Sequence, residues 1–176
     1  EDISSRWNHW YNTVHIPARL ALPGFLSVRR FHVPEGHWRY VSVYEVESPE
    51  AVSSERYAAL KRYEAGLASN SMEALTLRLS HFMRGVYRQT DPKTPYALPD
   101  TGAITLVTHD VPPSRAAEFE AWCEQQHRPT VARDTTLVGA RCFERADWPG
   151  APGTQADNPC FLTLYDLRTP AAAEGP

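Results

Sequence analysis

The chain has 176 residues, 42% hydrophobic and 11% aromatic, enough for a sizeable core. Its net charge of -3 and pI near 6.2, with arginines scattered among acids, give no basic footprint, so no nucleic-acid partner is expected. No apolar run approaches the ~20 residues of a membrane span, and Cys123, Cys142 and Cys160 form neither an even set nor a CxxC pair, which argues against a disulfide framework and a zinc site.

Residues Ile3 to Leu20 carry Trp7, Trp10, Val14 and Ile16 at mostly helical spacing, predicting a helix that ends near Pro17 to Ala21. Leu22-Pro23-Gly24 is a turn. Phe25 to Val33 and Trp38 to Val46 alternate as a hairpin around Pro34-Glu35-Gly36. Ser48-Pro49-Glu50 opens a second helix running to about Gly66, with proline early, where its missing donor costs nothing. Leu75 to Tyr87 reads as a strand. Pro92, Pro95 and Pro99 then mark an extended connector. Beyond it come a strand Ala103 to Val111, a helix from Pro112-Pro113-Ser114 through Val131, and strands Thr136 to Arg145 and Phe161 to Leu167. The last two are joined by a Gly- and Pro-rich loop, Asp147 to Pro159, long enough to cover something. The tail from Thr169 is expected to fray.

The pattern Trp10-x4-His15-x-Pro17 returns 112 residues later as Trp122-x4-His127-x-Pro129. At the same offset Arg29 falls on Arg141 and Phe31 on Phe143, and after a longer connection Tyr44-Glu45 falls on Tyr165-Asp166. Two versions of one unit follow. The halves read αββαβ and βαββ, fragments of the βαββαβ ferredoxin-like unit, with a first half over 1–90, a connector over 91–102 and a truncated second half over 103–176. A ferredoxin-like sheet lacking its central opening strand would leave buried N–H and C=O groups unpaired at ~1–3 kcal/mol each, so the first half's opening strand is expected from outside the written sequence, which begins at Glu1 rather than Met.

Strand alternation assigns Leu26, Val28, Val41 and Val43 to packing under the helices, and Phe25, Ser27, Arg29, Phe31, Tyr40, Ser42 and Tyr44 to a pocket face. Arg141, Phe143 and Tyr165 are the second copy's equivalents. An arginine kept on that face in both copies needs either an acid, such as Glu45 or Asp166, or an anionic ligand.

WYNTVHIPARLALPGFLSVRRF, followed by RYVSVYEV, resembles the EthD-like branch of the dimeric α+β barrel superfamily, in a version with two fused ferredoxin-like units. The resemblance is strongest over Trp10 to Val46 and weaker over Trp122 to Leu167. It implies an α+β fold of antiparallel sheets facing each other across a barrel that holds a small molecule, and cofactor-free isomerase, lyase or oxygenase chemistry on aromatic or lactone metabolites. It also makes the His-x-Pro histidine a pocket group, best matched by His15. The second copy departs from the pattern, with Thr136-Leu137 in place of Gly24-Phe25.

The expectation is a cofactor-free isomerase or lyase using His15 and His127 as general acids and bases. Trp10, Tyr11, Arg29, Phe31, Tyr44, Trp122, Arg141 and Tyr165 are the candidate substrate-binding residues, with Arg29 or Tyr44 holding an oxygen. Structural alternatives are histidines that bond the turn after the helix and tryptophans that belong to the core. Functional alternatives are a non-catalytic binding or accessory protein, and a haem-handling protein. His9, His15, His32 and His37 show no zinc or iron spacing, Cys123 reads as a small buried hydrophobe, and no Gly-rich phosphate loop occurs, so neither metal nor cofactor is expected. A cytoplasmic homodimer without membrane or nucleic-acid partners is expected, each chain closing one barrel that relates Arg29 to Arg141, Tyr44 to Tyr165 and His15 to His127 by an approximate two-fold axis.

Overall fold

The computed structural model describes residues 3–35, 38–67, 71–72, 83–90, 101–146 and 158–173. It is a mixed α+β structure with antiparallel sheets, divided into two compact units at Met83/Arg84. No helix among the described residues is long and apolar enough to cross a membrane.

The first unit opens with α1 (Ile3–Trp10), a π-helical turn (Tyr11–His15) and α2 (Ile16–Leu20), all one continuous helix. Its π turn has a cause in the sequence. In α register the nitrogen of Pro17 would serve the carbonyl of Thr13, but proline has no N–H and its ring crowds that carbonyl. Widening the preceding turn relieves the conflict, and the N–H of Ile16 donates to the carbonyl of Tyr11, five residues back. After Ala21 the chain reverses at Gly24, whose φ of 82° lies in the left-handed region, and a Cβ there would meet that of Ala51 at 2.9 Å.

Strands β1 (Phe25–His32) and β2 (Tyr40–Val46) form the hairpin. The stretch from Pro49 is two elements, not the single helix expected: a 3-10 turn (Pro49–Ser53), then α3 (Glu55–Ala65). Ser54 separates them with an extended backbone, its hydroxyl accepting the N–H of Tyr57 at 3.2 Å as an N-cap. Of the strand expected over Leu75 to Tyr87, residues 75–82 lie outside the described residues, and 83–86 form only an isolated bridge at Arg84, the strand beginning at Tyr87 instead.

In the second unit, β3 (Tyr87–Gln89), β4 (Ala103–His109), β5 (Leu137–Arg145) and β6 (Phe161–Leu167) form one sheet in the order β3-β5-β6-β4. Strand β3 lies at the end of the region read as the first half (1–90), yet it pairs with β5 and adds an edge to this sheet. The helix between β4 and β5 repeats the first unit's plan as α4 (Ala116–Trp122), a π turn (Cys123–His127) and α5 (Arg128–Val131), with the N–H of Arg128 donating to the carbonyl of Cys123 ahead of Pro129. Most of the connector (91–100) and of the Gly- and Pro-rich loop (147–157) lies outside the described residues. The tail, expected to fray, forms a 3-10 turn over Pro170–Ala173.

The face assignment is corrected in both units. Directly opposed residues share a face, and Val28, Arg30 and His32 oppose Tyr44, Ser42 and Tyr40, while Arg29 and Phe31 oppose Val43 and Val41. A bulge between Phe25 and Ser27 takes up one extra residue, so alternation counted straight through it assigns the rest of β1 to the wrong side. The second unit repeats the bulge between Leu137 and Gly139. Aromatic Tyr40 and Tyr44 therefore pack under the helix, and Arg29 and Phe31 share the opposite face with the aliphatic Val41 and Val43.

Candidate functional site

In an α-helix, Trp and His five residues apart stand about 140° apart around the axis. The π turn closes that angle. Trp10 and His15 meet at 5.0 Å between ring centroids, and Trp122 stacks on His127 at 4.8 Å and 19°. The repeated motif thus encodes a Trp–His contact, aimed at the face of the sheet that carries Tyr44 in one unit and Tyr165 in the other.

In the first unit Tyr11 comes between these groups. It stacks on His15 at 4.4 Å, and its hydroxyl meets that of Tyr44 at 2.7 Å. Burial first, and Tyr11 next, push the Tyr44 phenol well above its ordinary range. His15 is driven down to about 3, chiefly by burial and then by the Arg19 guanidinium, and its buried Nδ1 has no hydrogen-bond partner among the described residues. An imidazole this weakly basic is neutral throughout the physiological range, which departs from the near-neutral proton exchange expected of it. Arg19 itself is buried in a two-pronged pair with Glu64, whose Oε2 lies 2.7 Å from Nη2.

Arg30, not singled out in the sequence, is the cation on this face. Its guanidinium lies over the rings of Tyr40 at 3.9 Å and of Trp7 and Tyr11 at 4.5 Å each, and Nη1 donates to Asn8 Oδ1 at 2.7 Å. Asn8 in turn donates to the Tyr40 hydroxyl at 2.7 Å. Among the described residues no oxygen or nitrogen lies within hydrogen-bond geometry of the buried Nε and Nη2, and the aromatic faces, Tyr40 above all, surround them. Arg29, the expected ligand-gripping cation, lies instead on the far face, 3.7 Å from Glu45 and over Phe31. Arg141 repeats this with Asp166 at 3.3 Å and Phe143, both ion-pair side chains being fully buried. Of the two readings left open for these arginines, the acid partner is present in both units.

The second unit has Cys123 where the first has Tyr11, so nothing stands between histidine and tyrosine. His127 Nε2 meets the Tyr165 hydroxyl at 2.8 Å. Burial, with a smaller push from His109, lowers the His127 pKa, and burial raises that of Tyr165. Imidazole and phenol are both neutral at pH 7. The Cys123 thiol is raised to about 12, mainly by burial and next by Cys142, so it is no nucleophile. Trp122 is 38% exposed, unlike buried Trp10, and stands over His127 at the surface.

Beside this pair lies an open cleft of about 370 Å³. Its floor is the helix-facing side of the sheet, where Thr105 and Leu137 oppose Tyr165 and Leu167. Its wall is the end of α5 and the turn after it, with Thr130, Val131 and Asp134. Only Tyr165 among the sequence candidates lines it. The other lining residues come from strand positions (Thr105, Leu137, Leu167), the helix end (Thr130, Val131) and the turn after it (Asp134), none of which carries a motif of its own. Among the described residues no group of three or more His, Cys, Asp or Glu side chains is placed to hold a metal ion. No protein-family model matches the chain, and neither a curated protein nor a solved structure matches it.

Proposed function

We propose that this protein handles a small molecule in the second unit's cleft and performs cofactor-free proton transfer on it, of the isomerase or lyase type. The observation that carries the reading is the His127–Tyr165 pair at 2.8 Å, with Tyr165 lining the cleft. When His127 is protonated at Nε2, it donates to the phenolic oxygen and leaves the Tyr165 proton free to point at a ligand carbonyl. The phenol proton stays on Tyr165 and stabilises the negative charge developing on the carbonyl oxygen as solvent water in the open cleft takes the α proton, and solvent returns a proton to the same carbon. A phenol kept protonated by burial suits a donor of this kind. The tandem ferredoxin-like barrel belongs to the same proposal, supported by the helix, π turn, bulged strand and hairpin partner repeated in both units.

In the first unit the Tyr44 hydroxyl is committed to Tyr11 and His15 is a very weak base, so catalysis is assigned to the second unit alone. The test is solvent exchange: an aryl ketone with acidic α protons is incubated with the protein in D2O and followed by proton NMR. Loss of the α signal faster than in buffer is expected, abolished by Tyr165→Phe and His127→Ala and retained in His15→Ala. Exchange that survives both second-unit substitutions overturns the assignment.

A further inference from the structure

We infer that the cleft selects ligands carrying an ammonium or other hydrogen-bond-donating group on an apolar body, and that Asp134 is the residue that sets this preference. The inference rests on the small-molecule reading above and adds the ligand's chemical class. Among the described residues that line the cleft none is cationic, and Asp134 carries the one formal charge. Hydrogen bonds from the Thr136 N–H at 2.9 Å and hydroxyl at 2.6 Å both fall on Oδ1, holding the carboxylate below its usual range and therefore ionised at neutral pH. Thr130 spends its hydroxyl proton on the Gln126 carbonyl at 2.8 Å, so it faces a ligand with lone pairs. The wall is also the C-terminal end of the helix that began at Ala116, where the peptide dipoles sum to negative potential. Three independent features thus present acceptors or negative charge, whereas Leu137, Val131 and Leu167 supply apolar contact. Arg29 and Arg141, which could have recruited a carboxylate, lie on the opposite sheet face of their units.

Three probes of similar body separate the cases in amide NMR titrations of the full chain: 2-phenylethylamine, 2-phenylethanol and 3-phenylpropanoate. The amine is expected to bind about two- to five-fold more tightly than the alcohol, the range of one solvent-exposed charge pair, and the carboxylate more weakly than either. Asp134→Asn keeps the acceptor for Thr136 and should bring the amine to the alcohol's affinity without changing the alcohol. Equal or tighter binding of the carboxylate, or an amine affinity unmoved by Asp134→Asn, overturns the inference and leaves the cleft standing. Absence of shifts at Thr130, Leu137 and Tyr165 with all three probes instead overturns the small-molecule reading on which it rests.

Discussion

The two units share a helix with a π turn before proline and a bulged antiparallel strand pair, and furnish them differently. Both place a Trp–His contact through a π turn before proline, and both pair an arginine with an acid on the far sheet face. Between helix and sheet, however, the first unit has Tyr11 and Arg30 where the second has Cys123 and Cys142. The larger side chains fill the space with a tyrosine pair and a caged guanidinium, and His15 is buried as a neutral group. With cysteines there, the tyrosine hydroxyl reaches histidine directly. One helix position therefore decides whether the repeated His and Tyr meet.

The largest contrast is expected on the far face. Arg141→Ala would strand Asp166 in a fully buried site and should cost about 3–5 kcal/mol of the second unit's stability. Arg29→Ala leaves Glu45 in a less buried setting, with side-chain exposures of 18% and 11% for the pair, and should cost clearly less. Denaturant titration of each variant checks this, and equal losses would break the comparison.

Acid should next separate the histidines. The unfolded chain protonates His15 near 6.5 and the folded chain only near 3, so the unfolded state binds more protons between these values and stability falls as pH drops through the window. At pH 5 the loss relative to pH 7 should reach about 2 kcal/mol, and His15→Gln should flatten it. Unfolding curves at pH 5 and 7 measure it, and an unchanged slope in the variant would assign the acid sensitivity elsewhere. The smallest effect tests Tyr11: Tyr11→Phe removes one hydrogen bond, for about 1 kcal/mol, and frees the Tyr44 hydroxyl. His15 imidazole nitrogen shifts should stay far from those of His127, because the Phe ring still separates His15 from Tyr44, and movement toward them would show that the Tyr11 hydroxyl rather than its ring keeps the two groups apart.

The first hairpin and the recurrence of a helix followed by a strand, in the structure a π-turned helix and a bulged strand, were legible because Trp-x4-His-x-Pro, the Arg and Phe positions and the Tyr–acid pair recur at matched offsets. Arg30 was missed for a definite reason. A bulge is one uncounted residue, and no residue type in Phe25-Leu26-Ser27 announces it, so every later position in β1 changes face. Asp134 was missed because an exposed aspartate after a helix has the sequence appearance of any turn residue.

The sequence by itself determined which residues recur, where the first hairpin and the strands β4, β5 and β6 run, and where proline forbids an α-helical bond, since those depend on local covalent chemistry and periodicity. Only the tertiary structure decided which recurring groups touch. Whether Tyr44 or Tyr165 reaches its histidine, and whether an arginine meets an acid or an aromatic cage, depends on strand register and on the volume of the side chain opposite, neither of which is written at the residue concerned.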